Sequence, residues 1–171
     1  MDSKTKSRLN RKGNALQFKD DDYETETKVL KDLLPFIEEH NIIYDPFYCN
    51  GKVIEEWEEL NKTCLNEKLD AFNREHPADF DIVISNIPFS LKEKCVELGF
   101  ELNKPFILLM PIDAMGSKWI KKYWDRLQFI IPNGRYSFFK KSNKDKKSTA
   151  WFDTMWVCHG INLSQKIIKL N

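Results

Sequence analysis

The stretch Phe80-Asp-Ile-Val-Ile-Ser-Asn-Ile-Pro-Phe89 contains the clearest buried strand in the chain. From Phe80 to Ser85 most residues are apolar or β-branched, a pattern typical of a strand that is covered on both faces of a sheet. The run ends at Asn86-Ile-Pro-Phe89, because proline cannot continue a central strand. A similar run, Asn41-Ile-Ile-Tyr44, lies about forty residues upstream and delivers Asp45-Pro-Phe-Tyr-Cys-Asn-Gly51.

Helix-like and strand-like patterns alternate around these two runs. Apolar residues at helical spacing predict helices over 27–40, 53–60, 91–102 and 119–126. Short apolar runs predict further strands over 63–65 and 105–110. Alternation of this kind predicts an α/β, Rossmann-like fold, in which a mostly parallel twisted sheet carries helices on both faces.

The C-terminal third changes character. The segments 127–131, 135–139 and 151–161 are all strand-like, and a lysine-rich loop separates the last two. Successive strands joined by short connections pair in an antiparallel manner. We therefore expect an antiparallel C-terminal hairpin at one edge of the sheet.

Length and composition limit the class of protein. The chain has 171 residues, 42% of them hydrophobic and 31% charged, which suits one globular domain over residues 21–171. Residues 1–20 are polar and basic without periodicity, which predicts a flexible N-terminal arm. No apolar run is long enough for a bilayer span or a secretory signal, so we expect a cytoplasmic protein. The four cysteines and three histidines are dispersed, and we expect no metal site and mostly buried, reduced thiols.

The net charge of +1 conceals two basic clusters. One lies in the N-terminal arm, and the other surrounds the lysine-rich loop. Basic residues near a catalytic face suit a phosphate backbone, whereas a solvated tail and loop would explain the same charges without a partner. The candidate nucleic-acid-binding residues are Arg135, Lys140, Lys141, Lys144, Lys146 and Lys147.

The two loops that follow the buried strands resemble a pair of methyltransferase motifs. Asp45-Pro-Phe-Tyr-Cys-Asn-Gly51 resembles the D-P-F-x-x-x-G cofactor loop of class I S-adenosylmethionine-dependent methyltransferases. Asn86-Ile-Pro-Phe89 resembles the N-P-P-[FY] catalytic loop of the adenine methyltransferases, with Ile87 in place of the first proline. Upstream, Tyr23-Glu-Thr-Glu-Thr-Lys-Val29 is similar to their Y-x-T-P-x-x-V segment, with glutamate in place of proline. Together, the three segments resemble those of small phage-type or virus-type DNA adenine methyltransferases.

The resemblance implies a catalytic role for the second loop. The side-chain oxygen of Asn86 and the backbone carbonyl of Ile87 would accept the hydrogens of the target amino group. Pro88 would fix the loop, and Phe89 would stack on the base. The alternative is a plain loop after a buried strand, without a catalytic role. The departure from the family pattern at Ile87 favours this alternative.

The resemblance also implies a binding site for S-adenosylmethionine. Gly51 would let the backbone approach the cofactor, and Asn50 would supply left-handed geometry where the family has a second glycine. Glu67 would accept hydrogen bonds from the ribose hydroxyls, and Asp70 and Phe72 would contact the adenine. The implied cofactor-binding residues are Tyr23, Thr25, Asp45, Pro46, Phe47, Cys49, Gly51, Glu67, Asp70 and Phe72. The alternatives are a tight turn without catalytic meaning at Gly51, a helix cap at Thr25, and solvated loop carboxylates at Glu67 and Asp70.

These residues imply an enzyme that transfers a methyl group to adenine in DNA. RNA adenine and a protein glutamine amide present similar planar nitrogens and stay open as substrates, and a protein partner could supply target specificity. A degenerate methyltransferase fold that binds nucleic acid or a partner is the rival from another class. A nucleotide-sugar enzyme would need a glycine-rich phosphate loop or paired metal-binding acids, which the sequence lacks.

Overall fold

Two sheets organise the residues that this computed structural model describes, which are 23–24, 27–140, 147–149 and 152–171. The strands are β1 (Tyr23–Glu24), β2 (Ile42–Tyr44), β3 (Thr63–Leu65), β4 (Ile82–Asn86), β5 (Phe106–Pro111), β6 (Gln128–Ile131), β7 (Ser137–Lys140), β8 (Lys147–Thr149), β9 (Thr154–His159) and β10 (Ile167–Lys169). The α-helices are α1 (Thr27–Lys31), α2 (Val53–Glu58) and α3 (Lys92–Glu101). Four 3-10 helices cover Leu34–Phe36, Phe89–Leu91, Ile112–Gly116 and Ile120–Arg126.

The larger sheet has seven strands in the order β10-β6-β9-β5-β4-β2-β3. All neighbouring pairs are parallel except those of β9, which runs antiparallel to both β5 and β6. The other six strands therefore share one direction. Their carboxyl ends lie along one side of the sheet, here called the carboxyl edge, and their amino ends lie along the opposite amino edge.

Helices cover both faces of this sheet, as predicted. Alternate residues of a strand point to opposite faces, so Ile84 belongs to one buried cluster and Val83 to the other. Residues of α1 and α2, among them the buried Leu30 and Trp57, cover the first face, and the fully buried Leu33, just after α1, joins them. Helix α3 covers the second face, with Val96 fully buried. Full burial of each such side chain contributes about 1.5–3 kcal/mol.

The predicted helix over 27–40 is shorter than expected. Helix α1 ends at Lys31, and a separate 3-10 helix with Pro35 in its first turn follows. Proline lacks an N–H donor and its ring clashes with the carbonyl four residues earlier, which here belongs to Lys31. The predicted helix over 119–126 is likewise a 3-10 helix, Ile120–Arg126.

The C-terminal strands confirm the predicted antiparallel pairing, in which β9 runs antiparallel to β6, but this pair does not lie at the sheet edge. Strand β9 lies inside the sheet, and the edge position is taken by β10, which the sequence patterns did not predict. Strand β7 leaves the large sheet and forms a second sheet with β1 and β8. Strands β7 and β8 are antiparallel, so a hairpin-type pair exists, but it is separate from the main sheet. The predicted flexible arm at 1–20 lies outside the described residues.

None of the helices in the described part of the chain combines the length and the apolar character that crossing a bilayer requires.

Candidate active site at the carboxyl edge

Three polar side chains follow three adjacent strands at the carboxyl edge. Asp45 follows β2, Asn66 follows β3, and Asn86 ends β4. Strands β2 and β4 pair in parallel with Tyr44 opposite Val83, so Asp45 and Asn86 both lie within three residues of that pair. Ligands of open α/β sheets bind at this edge. The two loops that the sequence singled out therefore belong to one location.

Asp45 is buried at the head of its loop, with 5% of its surface exposed. Its backbone N–H donates to the carbonyl of Leu65 at 2.9 Å, and its Oδ1 accepts the N–H of Phe47 at 3.0 Å. Burial raises the pKa of Asp45 from 3.8 to about 7, because a charged carboxylate loses its hydration there. The Ser85 side chain and the Phe47 amide favour the charged form and offset part of this rise. Asp45 thus takes up or releases a proton near neutral pH.

Asn66 is a second buried polar residue, which the sequence reasoning missed. Its Nδ2 donates to the backbone carbonyl of Asp45 at 2.9 Å and so ties the ends of β2 and β3 together. Its Oδ1 is buried and accepts no hydrogen bond from the described residues. An unpaired buried acceptor is costly and uncommon, so this oxygen is available to a ligand that brings a donor. Its position directly after a strand was the signal that could have found it.

Glu67, the predicted ribose acceptor, forms an ion pair with Arg74. The Arg74 side chain is only 9% exposed, whereas that of Glu67 is 57% exposed. The Nε of Arg74 donates to the carbonyl of Glu75 at 2.9 Å, and its Nη1 is buried without a partner among the described residues. Arg74 therefore holds the Glu67 carboxylate from the protein side and leaves it open to solvent. No sequence pattern pointed to Arg74.

Two of the predicted cofactor-binding aromatic residues come together. The rings of Phe47 and Phe72 lie 5.7 Å apart between centroids, tilted by 57°, and Phe72 is 36% exposed. Asp70 shapes the loop that carries Phe72, because its Oδ1 accepts the N–H of Phe72 at 2.9 Å. An exposed ring beside an acidic loop offers a flat apolar surface to a planar ligand.

Gly51 has the left-handed backbone that the motif demands, with φ of +81°. A Cβ atom there would lie 2.9 Å from the hydroxyl of Tyr48, so the aromatic ring fills the space next to the glycine. The expectation for Asn50 was wrong. This residue is not among those with positive φ, and its Oδ1 instead accepts the N–H of Lys52 at 3.1 Å. Asn50 stabilises the turn through its side chain, so Gly51 alone supplies the unusual backbone.

The remaining members of the loop are Pro46 and Cys49. Pro46 is buried and Cys49 is half-buried. Both belong to the loop after β2, as the sequence predicted.

The second loop places Asn86 at the last position of β4. Its Oδ1 is buried and has no hydrogen-bond donor among the described residues, although the residue as a whole is partly exposed. Ile87 is 3% exposed and packs in the cluster on the second face. Pro88 begins the next 3-10 turn and accepts the N–H of Leu91 at 2.9 Å. Side-chain burial of Ile87 thus immobilises the loop at the position where the family uses a proline ring.

Phe89, the predicted stacking residue, meets an aromatic residue from the C-terminal region. Its ring lies 5.6 Å from that of Phe152, edge to face at 83°. Next to Phe152, Asp153 pairs with Arg135, whose Nε donates to Oδ1 at 2.8 Å. The structure therefore brings Arg135 to the carboxyl edge, where Asp153 precedes β9.

The other predicted basic residues and the upstream segment are only partly described. Lys140 and Lys147 are in β7 and β8, and Tyr23 is in β1, with its backbone opposite Lys140. The residues Thr25, Lys141, Lys144 and Lys146 lie outside the described residues.

Within the described ranges, no group of three or more histidine, cysteine, aspartate or glutamate side chains is placed to hold a metal ion. Three of the four thiols are buried, those of Cys64, Cys95 and Cys158, as predicted.

No protein-family model matches the chain, and no curated protein matches it. Among solved structures, a protein of Listeria monocytogenes, described as a class I S-adenosylmethionine-dependent methyltransferase, superimposes with a TM-score of 0.54 at 12% identity. The match covers 85% of this chain and 63% of the Listeria chain, so this chain spans less than two thirds of that protein. An S-adenosylmethionine-dependent O-methyltransferase of Thermotoga maritima matches at 9% identity and a TM-score of 0.42, over 93% of this chain and 72% of the other. The Listeria likeness shows that the fold is the Rossmann-like methyltransferase fold.

Proposed function

We propose that this protein is an S-adenosylmethionine-dependent methyltransferase that modifies the exocyclic amino group of adenine in DNA. One observation carries the proposal. Asn86, with its unpaired carbonyl oxygen, ends the strand next to the one that delivers the buried carboxyl of Asp45. The cofactor motif and the catalytic motif thus converge at the edge where this fold binds ligands.

The residues around Asp45 suit the proposed cofactor, which supplies an electrophilic methyl group when bound. The loop from Asp45 to Gly51 would hold the methionine part, and Glu67, fixed by Arg74, would accept the ribose hydroxyls. Phe47 and Phe72 offer an apolar surface for the adenine ring. A cationic ligand beside Asp45 would favour its carboxylate and lower its raised pKa. Binding below neutral pH would then release a proton.

The Asn86 loop suits a planar amino group. Such a nitrogen is a weak nucleophile while its lone pair is delocalised into the ring, and two carbonyl acceptors on its hydrogens favour charge on the nitrogen. The Oδ1 of Asn86 has no donor among the described residues, so an incoming amino group would satisfy it. Phe89, edge-on to Phe152, would supply the stacking surface. A base in a duplex would first be flipped out of the stack.

Nucleic acid is the proposed partner because Arg135 stands at the same edge as the Asn86 loop, and further lysines follow it in the sequence. A protein partner that supplies target specificity is also part of the proposal.

Calorimetric titration of the protein with S-adenosylmethionine is the first test. We expect saturable binding that Asp45→Ala abolishes and that Asn86→Ala largely retains. Titrations at pH 6 in buffers of different ionisation enthalpy should show proton release, which Asp45→Asn removes. No binding by the intact protein would contradict the proposed function.

Transfer of a labelled methyl group identifies the substrate. The assay compares a DNA oligonucleotide with the same sequence in which every adenine is replaced by 7-deazapurine lacking the amino group. Matched RNA and a glutamine-containing peptide complete the set. Label in the adenine DNA alone supports the proposal, and label in RNA or peptide alone would move the assignment to that substrate.

One observation favours a second function. The ring of Tyr48 lies against Gly51, in the space that the motif glycine leaves beside the loop backbone. If Tyr48 keeps that place, the fold would act as a nucleic-acid-binding module without methyl transfer. Oligonucleotide binding together with failure to bind S-adenosylmethionine, in both the intact protein and Tyr48→Ala, would establish this alternative.

A further inference from the structure

Three cations line the amino edge of the large sheet, opposite the candidate active site. Lys104, Arg126 and Lys166 lie one or two residues before β5, β6 and β10, respectively. His159 ends β9, the antiparallel strand between β5 and β6, and so reaches the same edge. Four neighbouring strands thus contribute Lys166, Arg126, His159 and Lys104 in that spatial order. We call these four residues the basic row.

Aromatic rings hold the three cations of the basic row in place. The Arg126 guanidinium carbon lies 3.9 Å from the centroid of Phe100. The ammonium nitrogen of Lys166 lies 5.3 Å from the centroid of Trp124 and also donates to the Trp124 carbonyl. Lys104 lies 5.7 Å from the centroid of Phe80. Such contacts orient a cation without neutralising it.

No carboxylate among the described residues forms an ion pair with the basic row. The ion pairs of the described residues involve Arg74, Lys122 and Arg135, and none involves Lys104, Arg126 or Lys166. Asp125 lines the same surface and is the acid nearest in sequence to the row, but it forms no ion pair with Arg126. The three cations are therefore preordered and electrostatically available.

Two adjoining grooves run along the basic row. The larger, of about 430 Å³, is lined by Arg126, His159 and Lys166, and the smaller, of about 170 Å³, by Lys104, Arg126 and His159. Backbone and small polar groups form most of the remaining wall of the larger groove, among them Gly160, Asn162, Ser164 and Gln165. The Nδ1 of His159 donates to the carbonyl of Arg126 at 2.9 Å, since a carbonyl can only accept. The imidazole thereby fixes the position of the Arg126 backbone.

We propose that the basic row is a second nucleic-acid contact, which binds one phosphodiester backbone along the amino edge. Neighbouring strands lie about 4.8 Å apart, so the row spans about 14 Å from Lys166 to Lys104. Each strand of a duplex carries one phosphate per about 3.4 Å of helix axis, so several phosphates would come within reach of a row of this length. The planar guanidinium of arginine and the ammonium group of lysine both suit phosphates, and phosphate contacts carry no sequence information. The contact anchors nucleic acid whatever chemistry the carboxyl edge performs.

Fluorescence anisotropy with a labelled 15-nucleotide single strand and the matching duplex tests this contact. The test variant carries Lys104→Gln, Arg126→Gln and Lys166→Gln. The control variant carries Lys28→Gln, Lys31→Gln and Lys94→Gln, which removes the same charge from exposed positions on α1 and α3. Thermal unfolding and S-adenosylmethionine binding of both variants show that the fold and the carboxyl edge are intact.

We expect the test variant to bind the preferred oligonucleotide at least tenfold more weakly than the control variant at 50 mM salt. The slope of log affinity against log salt should fall by roughly 2–3, as the loss of three phosphate contacts requires. Equal affinities and slopes for the two variants would overturn the proposal, as would failure of the intact protein to bind either oligonucleotide. Inorganic phosphate gives a further test. If millimolar phosphate fully displaces the oligonucleotide from both the intact protein and the control variant, the basic row is a small-anion pocket, and the proposal is overturned.

Discussion

The two edges of the large sheet handle polar groups in opposite ways. At the carboxyl edge, Asp45, Asn66 and Asn86 place polar atoms in the interior, and two of their carbonyl oxygens have no donor among the described residues. At the amino edge, Arg126 and Lys166 stand over aromatic rings and remain accessible. The carboxyl edge thus contains buried polar atoms without partners among the described residues, whereas the polar groups of the amino edge stay accessible to solvent.

The difference follows from what each edge can bind. Buried acceptors and a carboxyl with a raised pKa destabilise the native state unless a ligand completes their hydrogen bonds. A preordered cation costs little in water and needs only a mobile polyanion. The carboxyl edge therefore suits a small ligand of defined shape, and the amino edge suits a charged polymer.

The largest expected effect concerns the pH dependence of stability. Because the pKa of folded Asp45 is about 7 against an ordinary 3.8, the native state keeps a proton that the unfolded chain releases between these values. The free energy of unfolding should therefore fall as the pH rises from 4 to 7 and become flat above 7. In Asp45→Asn the difference in the free energy of unfolding between pH 4 and pH 8 should shrink by about 4 kcal/mol. Urea unfolding at both pH values measures it.

A matched control for this change is Asp153→Asn, which removes an exposed carboxylate near the same edge. That variant should keep the pH dependence of the intact protein. Identical pH profiles for the intact protein and Asp45→Asn would show that Asp45 is ionised throughout, and the contrast between the edges would disappear.

The next effect concerns Asn86. If its amide oxygen holds the target amino group, Asn86→Ala should slow methyl transfer about a hundredfold or more, as the loss of one preorganised electrostatic contact does. Asn86→Asp retains an oxygen acceptor and should keep a measurable part of the rate. Single-turnover transfer to adenine DNA measures both variants. A rate within threefold of the intact protein in Asn86→Ala, with its fold intact, would exclude the residue from the reaction.

A substitution at Gly51 distinguishes a purely structural turn from a cofactor-binding loop. Gly51→Ala forces alanine into left-handed geometry and should cost about 1–2 kcal/mol, and Tyr48 can swing away from the new methyl group. Gly134→Ala places the same residue at φ of +94° with no neighbour within 4 Å, so it isolates the backbone cost. Thermal unfolding should give similar losses for the two variants. Only Gly51→Ala should weaken S-adenosylmethionine binding, and equal affinities would leave Gly51 as a turn residue.

The smallest effect compares a buried and an exposed arginine. Arg74→Met frees Glu67 and should weaken S-adenosylhomocysteine binding about tenfold, with little change for its 2′,3′-dideoxy analogue. Arg126→Met, at the amino edge, should leave both affinities unchanged. Calorimetry with the two ligands measures the difference. Equal weakening of both ligands by Arg74→Met would show a general structural role and remove Arg74 from the ribose contact.

The candidate site was predictable wherever it follows directly from strand ends. The apolar runs before Asp45 and Asn86 determine where β2 and β4 stop, and parallel pairing then brings both residues to one edge. Asn66 follows β3 directly and could have been found by the same rule, whereas Arg74 was not predictable, because its role depends on a contact between separate parts of a loop. The error at Asn50 has a local cause: a side-chain hydrogen bond to Lys52 closed the turn without left-handed backbone.

The sequence by itself determined the order of β2 to β6 and of the helical segments between them, because these depend on local periodicity. Only the tertiary structure decided that β9 inserts between β5 and β6, that β7 leaves for a second sheet, and that Lys104, Arg126 and Lys166 form one row. Strand pairing is a long-range choice that many registers of similar apolar runs could satisfy. The packing of the whole core selects among them, and with that choice it sets what each edge presents to a ligand.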